Sequence, residues 1–199
     1  MNEDITMKQF WKVAVGLIII SSELNAYESI LEKTSVGTVK IIKIPERLAL
    51  EAQSDTTYFE ADNGLFRKLF RFISDNEISM TTPVEAEIKP GKMRFFVGEK
   101  DKIKPIRSSL LVEVKKMSPM LVVAIGVRGN YSEDRFRKNE KELISWIKKN
   151  EKYEATGDAY AVYWNGPFVP GFLKRSEIHI PIRKRKTSNK NNYQINKTE

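Results

Sequence analysis

The chain predicts an α+β fold in which the order strand–strand–helix–strand–strand occurs twice. Three observations carry this. Apolar residues recur at helical spacing in two stretches, around 65–73 and 136–147. Short runs rich in Val, Ile and aromatic residues flank each stretch in pairs. Pro, Gly and Ser punctuate the runs. The two half-sequences share little identity, so the repeat is read from the order of elements alone.

The folded part begins near Val36. Val39–Pro45 reads as a strand, and the alternation Leu48-Ala49-Leu50-Glu51-Ala52 as a second. Tyr58 to Asn63 leads into the first helix. There, Leu65, Phe66, Leu69, Phe70 and Ile73 share one side, and Arg67, Lys68 and Arg71 fall on the other. After the polar link Ser74-Asp75-Asn76-Glu77 comes Met80-Thr81-Thr82-Pro83-Val84, a strand start made irregular by Pro83. That strand runs to Ile88. Pro90-Gly91 is a turn, and Met93–Val97 the next strand. Lys100–Pro105 is polar and loop-like.

The second half follows the same order. Leu110–Val114 and Leu121–Val127 read as strands around Ser118-Pro119. Ser132 is a good N-cap, with Glu133 and Asp134 in the first turn. Phe136, Glu140, Leu143, Ile144 and Ile147 share one helix face, with Trp146 beside them, and the helix ends near Asn150. Ala159–Trp164 and Ile178–Ile182 are the last strands.

Bulk properties bound the function. A length of 199 residues and 41% apolar content suit one globular domain. Without cysteine there are no disulfides, thiolate ligands or catalytic thiol. Lys8 and Lys12 precede the apolar run Val13–Ile20, and Ser21 to Ala26 follow. This is the layout of a secretory signal over residues 1–26, too short in its apolar part to span a bilayer. Met7 is an alternative start that removes the acidic Glu3 and Asp4. The expectation is a periplasmic or secreted protein, with a domain over 27–183. The formal charge is +8, and most of the basic excess lies in the tail from Arg183, which has six basic residues and one acid. Residues 184–199 therefore read as a disordered basic tail able to contact anionic membranes. Export argues against a nucleic-acid partner.

Catalytic chemistry finds little support. The single histidine, His179, excludes a serine triad and a two-histidine metal site. By strand alternation it lies opposite the isoleucine face, as a half-exposed side chain. Glu85 and Glu87 share a strand face, and solvated carboxylates are the expectation for them. No Gly-rich phosphate loop occurs.

Two blocks carry a family resemblance. The run Phe66 to Val84, ending Met-Thr-Thr-Pro-Val, and the run Tyr163 to Ile178, with its Asn-Gly-Pro-Phe-Val-Pro-Gly loop, resemble the SOUL (haem-binding protein) family over about residues 27–183. The resemblance implies a curved, barrel-like antiparallel sheet with two flanking helices, similar to effector-binding domains of the GyrI-like type. It also implies non-enzymatic binding of haem or another tetrapyrrole in a groove between the first helix and the Pro-bearing loop. A flat apolar disc with carboxylates needs an oily floor and a cationic rim. The candidate residues are Phe66, Arg67, Phe70 and Arg71 on the helix, with Phe168, Phe172 and Lys174 on the loop. Arg71 and Phe70 match a basic and an apolar family position. Asn63 stands where a haem-binding member has a basic residue. No convincing axial ligand is present. Met80 offers a thioether, though core packing is the plainer role. The alternative is a module for another amphipathic molecule or a protein partner, and for the helix alone, simple core packing with a solvated basic flank.

Overall fold

A computed structural model describes residues 28–29, 31–60, 64–166 and 168–186. Residues 1–26, expected to be a secretory signal, Asn63 and the tail beyond Lys186 lie outside the described residues.

The strands, in order, are β1 (Glu28–Ser29), β2 (Val39–Ile44), β3 (Arg47–Gln53), β4 (Thr81–Thr82), β5 (Val84–Glu87), β6 (Lys92–Phe96), β7 (Glu113–Met117), β8 (Met120–Arg128), β9 (Tyr153–Ala155), β10 (Tyr160–Tyr163) and β11 (Arg175–Lys184). Helix α1 (Leu65–Asp75) lies between β3 and β4, and α2 (Glu133–Lys149) between β8 and β9. The main sheet has the order β2-β8-β11-β10-β5-β6-β3-β7, with β9 paired to the far end of β11. All its neighbours are antiparallel, and it curls into a half-barrel. β1 and β4 form a separate parallel pair. Exchanging β2-β3-α1-β5-β6 with β7-β8-α2-β10-β11 turns the sheet order into its own reverse. The predicted order of elements thus becomes a two-fold pattern of strand pairing.

Each helix forms for local reasons. Ser132 caps α2 by accepting from Arg135 N at 3.4 Å, and Glu133 and Asp134 occupy the first turn. α1 starts at Gly64, whose φ of 63° favours glycine. Both helices cover one sheet face. Leu65, Leu69, Phe72 and Ile73 of α1 and Phe136, Leu143 and Ile147 of α2 are buried there. They pack on Leu50, Ala86, Phe95, Ile125 and Ile180, among others. Each large side chain removed from water contributes about 1.5–3 kcal/mol before entropy.

Among the described residues no helix covers the opposite face, yet its centre is dry. Glu85, Glu177 and His179 are each 1% exposed. This corrects two expectations. His179 does lie opposite the isoleucines, but it is not half-exposed, and Glu85 is not solvated. The sheet curls around this face, and the segment from Leu31 to Thr38 crosses it as a strap. Leu31 packs on the cluster of Tyr160, Val162 and Trp164. Thr34 gives Glu177 two hydrogen bonds, N to Oε1 at 2.7 Å and Oγ1 to Oε2 at 2.8 Å. Gly37 N donates to Gly126 O at 2.8 Å. The strap runs so close that a Cβ on Gly126 would stand 2.3 Å from Ser35 O and 2.5 Å from Thr34 O.

Charges on the inner face neutralise one another in a network, although Arg47 Nε and Nη2 are buried without hydrogen-bond partners. Arg47 donates to Glu85 at 2.6 Å, and Arg94 bridges Glu51 and Glu87, both at 2.5 Å. Lys115 reaches the other oxygen of Glu51 at 2.9 Å. Burial raises the Glu51 pKa, but Lys115 and Arg94 outweigh it and hold the carboxyl below its usual range. Glu177 behaves likewise. Burial pushes it up, and the bond from the His179 ring (2.9 Å) with those from Thr34 brings it below the ordinary value.

Two boundaries differ from expectation. The strand expected at 110–114 is β7 at Glu113–Met117. Ser109 Oγ accepts from Val112 N and Ser108 Oγ from Val114 N, which folds the preceding backbone into a turn and leaves Leu110 and Leu111 exposed. The last strand begins at Arg175, earlier than Ile178, because it pairs along nearly its whole length with β8.

Two outcomes follow. Gly126→Ala should cost about 1–3 kcal/mol through the clash with the strap, read as a lower urea midpoint at unchanged slope. A Glu held below its unfolded pKa, near 4.5, stabilises the fold above that pH and loses the contribution as pH falls through the folded value. Stability should therefore hold from neutral pH to about 5 and drop below it. Glu177→Gln should be destabilised by about 1–3 kcal/mol at neutral pH and show a flatter acid limb in pH-dependent melts.

Candidate functional site

Successive residues of a helix point about a quarter-turn apart, so the six apolar residues of α1 divide between two tasks. Leu65, Leu69, Phe72 and Ile73 enter the core. Phe66 and Phe70, one turn apart, remain partly exposed on the flank with stacked rings 5.8 Å apart. Phe66 is fixed edge-on against Phe95 at 5.4 Å. These two rings form one wall of a cleft of about 360 Å³.

The facing wall comes from the end of β10 and the segment after it, which supply Tyr163, Trp164, Asn165, Gly166 and Lys174. Tyr131 and Tyr163 stack at 4.1 Å, and Tyr58 lies 5.8 Å from Tyr163. Tyr131 also fastens the loop. Its hydroxyl accepts from Asn165 N at 3.1 Å and donates to Arg175 O at 3.0 Å. Asn165 Oδ1 takes the Arg175 N–H at 2.7 Å. Both ends of the loop are thus tied at one point, and a 3-10 turn at Gly171–Leu173 shapes its far side. Trp164 is anchored from behind, where its indole N–H donates to buried Glu177 at 2.9 Å.

The electrostatics of the cleft are simple. Among the described residues, Lys174 is the one charged side chain lining it, with Nζ 5.1 Å from the Tyr131 ring centroid. Burial pushes the Tyr58 and Tyr131 phenols up to about 12, and Tyr163 well above its usual value. All three are neutral hydroxyls at physiological pH. Met80 lines the cleft and packs on the core.

The structure brings together three of the seven residues expected to bind ligand, Phe66, Phe70 and Lys174. The other four lie outside the lining. Arg67 is on the exposed flank of α1. Arg71 is 84% exposed, 3.7 Å from Asp75. Phe168 and Phe172 are 97% and 73% exposed on the loop. The sequence reading missed Tyr58, Tyr131 and Tyr163. Tyr58 and Tyr131 sit in links between elements, where no periodicity marks them. Tyr163 opens a family block but stands on a strand whose inward face is otherwise plain core.

A tetrapyrrole fits the donor set in part. The aromatic walls match a flat macrocycle, and Lys174 matches a carboxylate on its edge. For a central iron, the cleft has the Met80 thioether and neutral phenols. His179 is on the other sheet face. Among the described residues no group of three or more His, Asp or Glu is placed to hold a metal. A second cleft, of about 410 Å³, lies on another side and is lined by Glu85, Glu87, Arg94, Tyr160, Arg137 and Glu140. Its carboxylates are mostly engaged by the chain's own arginines.

Comparison with solved structures shows where this architecture recurs. The C-terminal domain of EcmrR is 15% identical, with a TM-score of 0.60 over 74% of this chain and 98% of that one. An uncharacterized conserved protein from Listeria innocua is 12% identical, with a TM-score of 0.52 over 75% of this chain and 94% of that one. A hydrolase from Listeria innocua is 13% identical, with a TM-score of 0.50 over the same shares. At such identities the likeness is one of fold. No curated protein sequence matches the chain. The sequence pattern of the SOUL heme-binding protein family matches residues 23–181, which takes in both halves of the sheet, both helices and every residue of the aromatic cleft. The chain therefore belongs to the SOUL haem-binding protein family.

Proposed function

We propose that the cleft between α1 and the 165–175 loop binds a flat, amphipathic anion of the tetrapyrrole class, haem included, without chemical turnover. The observation that carries this reading is the pairing of a wall set rich in aromatic rings, completed by Met80, Val84 and Met93, with a single cation at its edge. Rings of Phe66, Phe70, Tyr131 and Tyr163 supply flat apolar contact, and Lys174 supplies a partner for a carboxylate. The neutral phenols can donate hydrogen bonds to a ligand, and the rings beside them cover the macrocycle face, so recognition is assigned to that face and its acid side chains. Family membership supports the same ligand class. We further propose that residues 1–26 direct export, with the domain acting in the periplasm or outside the cell.

Titration of the protein with haem, followed at the Soret band, tests the reading. Saturable binding at micromolar haem is expected. Iron-free protoporphyrin should bind within about threefold of haem, because thioether ligation adds little. Lys174→Glu and Phe70→Ala should each weaken binding by about tenfold or more, while Arg71→Glu should change it little. No Soret change at micromolar haem would sink the proposal and leave another amphipathic ligand or a protein partner as the occupant.

A further inference from the structure

The loop between β10 and β11 presents its apolar side chains away from the fold. Phe168 and Phe172 project into solvent and Leu173 is about half exposed. This exposure is built in. The loop base is fastened by Tyr131 and Asn165, and its tip by Leu173 N to Pro170 O (2.9 Å) and Lys174 N to Gly171 O (3.1 Å). Gly171 packs directly on Asn130, where no Cβ fits. The tip therefore has a fixed shape that does not bury its rings.

Charge surrounds this tip on one side of neutrality. Between Asn165 and Ser176 there is no acid, and Lys174 closes the loop, while the Arg175 guanidinium turns away to Thr34 O at 2.7 Å. Across the cleft, α1 adds Arg67, Lys68 and Arg71 against a single acid, Asp75. We propose that residues 168–173 form a finger that inserts Phe168, Phe172 and Leu173 into the headgroup region of an anionic lipid bilayer, with the flanking cations on the lipid phosphates. Aromatic and leucine side chains bordered by Lys and Arg suit that boundary. A protein partner fits less well. A stable interface needs about 800 Å² per side, and two rings at about 150–250 Å² each with one leucine fall short of it. Docking this way turns the mouth of the aromatic cleft toward the membrane surface. Lys174 is shared with the cleft, so insertion rests on Phe168, Phe172 and Leu173 with the α1 cations and does not require a ligand in the cleft.

The chain has no cysteine, so a single introduced thiol reports cleanly. The test labels Phe172→Cys and Phe168→Cys with an environment-sensitive fluorophore in the full-length protein. Ile103→Cys, an exposed apolar site on the β6–β7 loop (90% exposed), is the control. Probes are phosphatidylcholine vesicles with and without about one-third phosphatidylglycerol. Expected is a blue shift and intensity rise at 168 and 172 with the anionic vesicles, quenched by brominated acyl chains and absent at 103. Unlabelled Phe168→Ser/Phe172→Ser should float with these vesicles about tenfold less than the parent. Both substitutions are at exposed positions, and an unchanged circular dichroism spectrum confirms the fold. Equal signals at 103 and 172 would overturn the proposal, since other segments would then carry binding. So would no signal at 172, or a change at 172 that depends on protein concentration without vesicles.

Discussion

One buried carboxylate ties the two faces of the molecule together. Glu177 sits on β11 inside the half-barrel and collects four hydrogen bonds, two from Thr34, one from the Trp164 indole and one from the His179 ring. A charged group removed from water is costly unless its lone pairs are filled, and here each donor comes from a different part of the chain. Thr34 brings the strap across the open side of the sheet. Trp164 is the residue at which β10 becomes the loop that walls the aromatic cleft. The geometry of the binding surface is thus set from the reverse side of the sheet. The arginine–glutamate pairs beside it do similar work among β3, β5 and β6. Their net contribution to stability is small, but removing one partner strands a charge, so they fix register more than they add free energy.

Much of this fold is legible in the residues. The 3.6-residue spacing of Leu65, Leu69 and Ile73, the Ser132 cap with Glu133 and Asp134, and the Pro90-Gly91 turn each have a local cause, and each element stands where its cause puts it. Tertiary effects are what local reading lacks. Alternation places His179 and Glu85 opposite the isoleucines, but nothing in either strand says that the sheet will curl and a distant strap will close over them. The burial of Glu51, Arg94 and Glu177 depends on partners such as Lys115, Glu51 and Thr34 that lie far away in sequence. The site divides the same way. Phe66, Phe70 and Lys174 lie in motif-bearing runs and could be named in advance. The three tyrosines come from three separate segments and meet only in the folded state.

The cleft presents ring faces, neutral hydroxyls and one cation. Its phenols hold their protons far beyond neutrality because burial disfavours the phenolate, and its one cation rests against a ring. A surface of neutral donors, ring faces and a single positive charge discriminates by shape and by the sign of the guest. Groups able to move protons, such as His179 and Glu177, are locked on the far side of the sheet in bonds to each other.

The palindromic strand order has a geometric corollary. Swapping the halves exchanges α1 with α2 and the β10–β11 loop with the short β5–β6 turn. The second cleft, which touches Arg137 and Glu140 of α2 and Ile88 and Lys89 of that turn, is therefore the counterpart seat of the aromatic one. One seat has been furnished with rings and left open, the other with paired charges that answer each other. The scaffold thus holds two topologically equivalent clefts, one lined largely by rings and the other by paired charges.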